Sequence, residues 1–251
     1  MEDQNRTMSL VVAIKVPTGV VVAGDSRTTF PNAHPIVFDA ERKVFRVPGT
    51  PILVGIAGEV RRGPSHAVLG LRDVFSSGAQ SVEDVAHLVA RVFGRLGLFR
   101  AHVVVVGCTP DPVVWSVFAR DDGRWSTEEQ LTGAFGAYWV GTTAALDRLV
   151  NGVPAATSRR VVEWAERAAG RTLNQEERSS LESLSRPPQP SWEALPLDEA
   201  SRLIGSLLAG VAAWHRLVDG NAAPVGGAIE VQSVDVFGDV RAFPHTCALR
   251  P

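Results

Sequence analysis

The stretch SLVVAIKVPTGVVVAGDSR, residues 9–27, limits what this chain can fold into more than any other. Residues 10–16 are rich in Val and Ile, Pro17-Thr18-Gly19 carries turn chemistry, and Val20 to Ala23 restart the apolar run. Two strands joined so closely pair antiparallel, and the turn returns Asp25 to the neighbourhood of Ser9. The polar residues of the stretch gather mostly at its open end: Ser9 on one strand, Asp25 and Arg27 on the other. Two readings stand side by side. The residues form a solvated hairpin mouth, or a hydroxyl nucleophile has a carboxylate brought beside it.

Beyond the hairpin, apolar β-branched runs at 44–47 and 52–57, split by Pro48-Gly49-Thr50-Pro51, predict a second hairpin. The period then becomes helical. Val68, Leu71, Val74 and Phe75 share one face, and a second helix starts at a Ser81 cap with Asp84 as its capping-box partner. Its stripe is Val82, Val85, Leu88, Val89, Val92, Phe93 and Leu96. Strands are predicted at 102–106, 113–118 and 131–140. A helix opened by Thr142 follows over 144–150. Residues 151–195 hold two charged helices (159–169 and 174–184) and the linker Ser185-Arg186-Pro187-Pro188-Gln189-Pro190, and read as an insertion. An apolar-faced helix over 198–218 and strands at 228–236 and 240–243 close the chain. Segregated runs of strands and helices imply an α+β fold rather than a parallel βαβ one.

With 251 residues, 45% of them hydrophobic, the chain can bury one large core, so residues 9–251 read as one domain behind a short tail, 1–8. A net charge of -2 gives no electrostatic footprint for nucleic acid or a membrane surface. Cys108 and Cys247 are too few and too far apart for a disulfide framework, and point to a reducing, cytoplasmic setting. The six His show no metal-ligand spacing, and residues 1–7 lack the apolar core of a signal peptide.

The residues in this order resemble the proteasome β-type subunits and their bacterial HslV-like relatives, which are N-terminal-nucleophile (Ntn) hydrolases. Ser9 falls at the nucleophile position, Asp25 at the acidic position and Arg27 at the arginine. Glu41-Arg42-Lys43-Val44-Phe45-Arg46-Val47 resembles the lysine segment. Ile52-Leu53-Val54-Gly55-Ile56-Ala57-Gly58 resembles the strand that ends in the oxyanion-hole glycine. Val225-Gly226-Gly227-Ala228-Ile229-Glu230-Val231 resembles the late glycine pair. The likeness spans residues 9–150 and 196–243. It implies a four-layer αββα sandwich with a helical insertion around 151–195. It also implies a homo-oligomeric ring, an ATPase as a further partner, and a peptide or protein substrate.

The chemistry implied by the resemblance is amide hydrolysis through an acyl-ester on Ser9. A serine hydroxyl is a weak nucleophile and needs a base. On a mature chain beginning at Ser9 that base is the α-amine, whose reference pKa of about 7.7–8.0 suits proton transfer near neutrality. Lys43 would place a positive charge beside the hydroxyl, Asp25 would hold Lys43, and the Gly58 N–H would meet the oxyanion. Thr142 resembles the site-supporting serine and Asp219 the late aspartate that orients the nucleophile. No metal or cofactor takes part. Met8 stands before Ser9 where Gly is usual, and Val225 replaces the usual serine. Translation from Met8 followed by removal of that Met would expose Ser9. A retained tail would make the chain a non-catalytic relative, and an open monomer would suit an Ntn amidase acting on small molecules.

Overall fold

The structure is a computed structural model, and it describes residues 9–30, 36–38, 41–58, 61–62, 65–151, 155–184, 190–219 and 223–245. The tail 1–8 and most of the linker 185–190 lie outside the described residues. The chain divides into two compact units, one made of Met1–Thr142 with Trp192–Pro251, the other of Thr143–Ser191.

The first unit is built on two antiparallel five-stranded sheets. Strands β1 (Leu10–Val16) and β2 (Gly19–Asp25) form the expected hairpin. After them come the short ribbon β3 (Thr28–Phe30) and β4 (Ile36–Phe38), then β5 (Val44–Arg46) and β6 (Ile52–Gly58). A further ribbon, β7 (Arg61–Arg62) with β8 (Ser65–His66), leads into helices α1 (Ala67–Phe75) and α2 (Val82–Leu96). Strands β9 (Ala101–Cys108), β10 (Pro112–Ala119), β11 (Trp125–Gln130) and β12 (Gly136–Gly141) follow. Helix α6 (Leu197–Asp219) and strands β13 (Ile229–Asp235) and β14 (Val240–His245) complete the unit. One sheet has the order β12-β1-β2-β13-β14, the other β11-β10-β9-β6-β5.

The two sheets share a core. Val11, Ala13, Val20 and Val22 of the first meet Val44, Leu53, Val104, Val106 and Val114 of the second. The opposite face of the second sheet is covered by α1 and α2, through Leu71, Val74, Val85, Val89 and Phe93 against Ile52, Val54, Ile56, Val103 and Val105. Helix α6 contacts β1, β2 and β13, and buries Ile204, Leu208 and Val211. Covered on both faces, β1 and β2 are fully buried along their length, which is why they read as continuous apolar runs instead of alternating ones.

Caps follow the sequence. The Ser81 side chain accepts the Asp84 N–H at 3.0 Å and α2 ends on Gly97 in the left-handed conformation. His66 caps α1, its Nδ1 accepting the Val68 N–H at 3.1 Å.

Two expectations change. The strand expected over 131–140 is a turn followed by β12, and the preceding strand β11, Trp125–Gln130, was not foreseen. Leu131 takes φ +57, which breaks any strand there. The polar residues of β11 (TEEQ) suit an outermost strand, and they hide the alternation that marks a half-buried one. The expected Thr142 cap is also displaced. The first bond of α3 (Ala144–Asn151) runs from the Asp147 N–H to the Thr143 carbonyl at 2.8 Å, so Thr143 stands at the N-cap.

The second unit contains α3, α4 (Ala155–Ala169) and α5 (Gln175–Leu184). It begins eight residues before the insertion expected at 151, because α3 belongs to it. Arg171 reaches Glu177 at 2.6 Å and pairs with it in the bend between α4 and α5, and Asn174 caps α5 by accepting the Glu177 N–H at 2.9 Å. Arg171, and after it the Asn174 N–H that donates to the Glu177 Oε2 at 2.9 Å, hold the Glu177 carboxyl down at about 2. Among the described residues, no helix is long and apolar enough to cross a membrane.

Candidate functional site

The open end of the first hairpin gathers five of the six candidate residues: the side chains of Ser9, Asp25 and Lys43 and the backbone N–H groups of Gly58 and Thr142. The β1–β2 register pairs Val11 with Gly24, which sets Leu10 opposite Asp25 and Ser9 one step further out. Ser9 is 2% exposed and Asp25 1%. The sheet therefore buries a hydroxyl and a carboxylate at one end of an otherwise apolar hairpin, which costs free energy unless both are hydrogen-bonded.

They are. The Ser9 Oγ accepts the Gly58 N–H at 2.9 Å. Gly58 ends β6, in the other sheet, so this one bond ties the last residue of β6 to the residue before β1. Asp25 is ringed by donors. Its Oδ1 accepts the Leu10 N–H at 2.9 Å and the Lys43 ammonium at 2.8 Å. Its Oδ2 accepts the Gly226 N–H at 3.1 Å and the Arg27 N–H at 3.3 Å. Lys43 also donates to the Arg27 carbonyl. Its side chain is 1% exposed and that of Asp25 0%, so both charges lie out of water.

A buried ion pair of this kind is seldom worth more than an apolar pair of the same volume. Its presence among Val and Ile strands is thus poorly explained by stability. What it does supply is a fixed positive charge one residue away from the serine, since Leu10 and Lys43 share the same carboxylate oxygen.

Thr142 reaches the site through its backbone. Its N–H donates to the Ser9 carbonyl at 2.8 Å. The neighbouring Gly141 has φ +103, and a Cβ there would lie 1.9 Å from the Ser9 carbonyl oxygen. Ser9 is therefore held from two sides: its hydroxyl by Gly58, its carbonyl by Thr142.

Asp219, expected to orient the nucleophile, has a local partner in the structure. It ends α6, and among the described residues its recorded partner is His215, whose Nδ1 lies 2.7 Å from its Oδ2. The spacing of four residues on a helix makes this pairing local. Val225, at the position where a serine is usual, is fully buried. Two groups that the side-chain pattern did not single out complete the Asp25 shell: the Gly226 amide and the Arg27 backbone. Among the described residues, no group of three or more His, Cys, Asp or Glu could hold a metal ion.

Comparison with known proteins bears on the fold. No family model matches the chain, and no curated protein matches it in sequence. Solved structures do. A Gly-1 mutant of Anbu from Hyphomicrobium sp. strain MC1 matches 96% of this chain and 88% of its own length, with a TM-score of 0.57 at 13% identity. Anbu from the same strain matches 95% and 88%, with a TM-score of 0.55 at 14% identity. Anbu, an ancestral β-subunit, from Yersinia bercovieri matches 95% and 88%, with a TM-score of 0.56 at 13% identity. At these identities what the chain shares with the Anbu structures is the fold. The resemblance to proteasome β-type subunits and HslV is corrected here: the structural likeness runs to Anbu, a distinct family, and the more specific assignment falls. The four segments behind that assignment are short, and they mark the shared fold without separating the families that use it.

Proposed function

We propose that the chain is an Ntn-type hydrolase that cleaves amide bonds of peptides with Ser9 as nucleophile, once Ser9 is the first residue. The observation that carries this reading is the Ser9 hydroxyl seated on the Gly58 N–H at 2.9 Å, beside a buried Lys43–Asp25 pair. In this proposal the α-amine of Ser9 takes the hydroxyl proton as Oγ bonds to the substrate carbonyl carbon. The carbonyl electrons move onto oxygen, and the Gly58 N–H, freed from Oγ, turns to that oxyanion. Such a donor is worth about 2.7–4 kcal/mol. Collapse breaks the C–N bond, the amine proton returns to the leaving nitrogen, and water then hydrolyses the ester. Lys43 favours the charge that develops on Oγ, and Asp25 keeps Lys43 in place.

The packing of α1 and α2 on one sheet, that sheet on the other, and α6 behind it supports reading the first unit as four layers, αββα. A homo-oligomeric assembly belongs to the same proposal, supported by the fold likeness to an ancestral β-subunit, as does cytoplasmic residence, supported by the sparse cysteines. One observation favours a second reading, a non-catalytic subunit: eight residues, ending in Met8, precede Ser9 in the sequence.

Intact mass before and after a β-lactone or epoxyketone, on protein with a free Ser9 amine, tests the proposal. Covalent addition that vanishes in Ser9→Ala is the expected result. No addition, with the amine shown to be free, overturns it in favour of the non-catalytic subunit.

A further inference from the structure

The Gly226 amide is one of four donors to Asp25 and lies before β13, which starts at Ile229; on its C-terminal side the Ala228 N–H is held by the Ser26 Oγ at 2.7 Å. On its other side the support comes from Arg27. A Cβ built on Gly226 would meet three atoms of one side chain: Arg27 Cζ at 2.7 Å, Nε at 2.8 Å and Nη1 at 3.0 Å. The guanidinium thus lies against the Gly226 Cα. Its Nη1 also donates to the Ala223 carbonyl at 3.3 Å, so one planar group supports residues 223–226 from below. Meanwhile the Arg27 backbone holds the other side of the site, its N–H on Asp25 and its carbonyl under the Lys43 ammonium.

We propose that Arg27 is a positioning residue: its guanidinium sets where the Gly226 N–H meets Asp25, and through Asp25 it fixes Lys43 beside Ser9. The inference rests on the hydrolase reading above. Asp25 divides its donors evenly, two on each oxygen. With the 223–226 segment unsupported, Oδ2 loses its better donor and the carboxylate is free to turn about its last torsion, taking Lys43 with it. A displacement of about 1 Å in a catalytic group can slow a reaction on the order of 100-fold. Arg suits the task because its planar fork packs flat on a peptide while still donating, which a Lys ammonium cannot do.

Gly226 supplies the test. Its three nearest obstacles all belong to the far end of a flexible side chain, so Gly226→Ala expels the guanidinium rather than breaking the backbone. Arg27→Ala, Gly226→Ala and the double variant are compared by β-lactone acylation of Ser9, separating the rate at saturation from the half-saturating concentration. The expected result is an equal loss of saturated rate in all three, on the order of 100-fold, with half-saturation unmoved. Added guanidinium at low millimolar concentration restores Arg27→Ala and fails on Gly226→Ala, where the methyl fills the seat. Losses that multiply in the double variant, or a wild-type rate in Arg27→Ala, overturn the inference. If the wild type itself is not acylated, the hydrolase reading has failed, and hydrogen exchange at the Gly226 amide decides the clamp separately. Protection is expected to fall equally in all three variants, and unchanged protection in Arg27→Ala overturns it.

Discussion

At the scale of single residues, the Lys43–Asp25 pair separates stability from chemistry. Both side chains are out of water, so removing one leaves the other charged and uncompensated, at a cost of about 3–5 kcal/mol. Lys43→Met alone is expected to lower the urea midpoint accordingly. Adding Asp25→Asn removes the stranded charge while keeping a carbonyl oxygen for the backbone N–H groups, and the double variant should regain part of that stability. It should still fail to be acylated at Ser9, because the charge beside the hydroxyl is gone. Recovery of stability together with acylation would make the pair a packing feature with no part in the proposed chemistry. Gly141 gives a second residue-level test. Its φ of +103 disfavours any side chain, and a Cβ would sit 1.9 Å from the Ser9 carbonyl. Gly141→Ala is expected to move Ser9 off the Thr142 and Gly58 amides and to abolish acylation, with a lowered melting temperature as the accompanying sign.

At the scale of elements, much of the fold was legible and the reasons are specific. The β1–β2 hairpin was readable because two Val-rich runs flank a three-residue turn, and its register placed Ser9 and Asp25 together without further help. Helix α2 was readable because its Ser81 cap and its apolar stripe agree, and the structure ends it on Gly97. Ser81→Ala should therefore cost about 1 kcal/mol in chemical denaturation, and Ser81→Asp, an equally good cap, should restore it. Strand β11 was not readable, because an outermost strand of Thr, Glu and Gln carries neither the alternation nor the apolar residues that the eye follows. The site shows the same division. Ser9 and Asp25 could be placed together from the hairpin alone, whereas Lys43 and Gly58 were expected only from the family resemblance. The Gly226, Arg27 and Thr142 contributions run through main-chain N–H and C=O groups, which every residue carries, so only the folded backbone reveals them. For Asp219 the structure shows a local pairing. At the end of a helix, a carboxylate finds the residue four positions back before it finds anything distant in sequence.

At the scale of the whole molecule, the two sheets are joined by more than apolar contact. His102 on β9, Ser116 on β10 and Tyr138 on β12 form a hydrogen-bonded chain across the inter-sheet core: His102 Nε2 lies 2.8 Å from the Ser116 Oγ, which accepts the Tyr138 hydroxyl at 2.9 Å. Strand β12 belongs to one sheet, β9 and β10 to the other. Burial makes this pin sensitive to acid. Desolvation lowers the His102 pKa from 6.5 to about 4, and burial likewise raises that of Tyr138. Between those two values the unfolded chain binds a proton that the folded chain refuses, so stability rises with pH across the window and is complete above about 6.5. Falling from there to pH 4 removes about 3 kcal/mol through this residue alone. His102→Gln keeps a hydrogen-bonding group against Ser116 and has no proton to gain. Urea midpoints measured from pH 7 to pH 4 should fall steeply for the wild type and nearly level for His102→Gln, apart from what the carboxylates contribute near the acid end. Parallel slopes in the two proteins would show that His102 is already protonated, or already hydrated, in the folded state. The pin would then have to hold the sheets as a charged group, and Ser116 could serve it only as an acceptor.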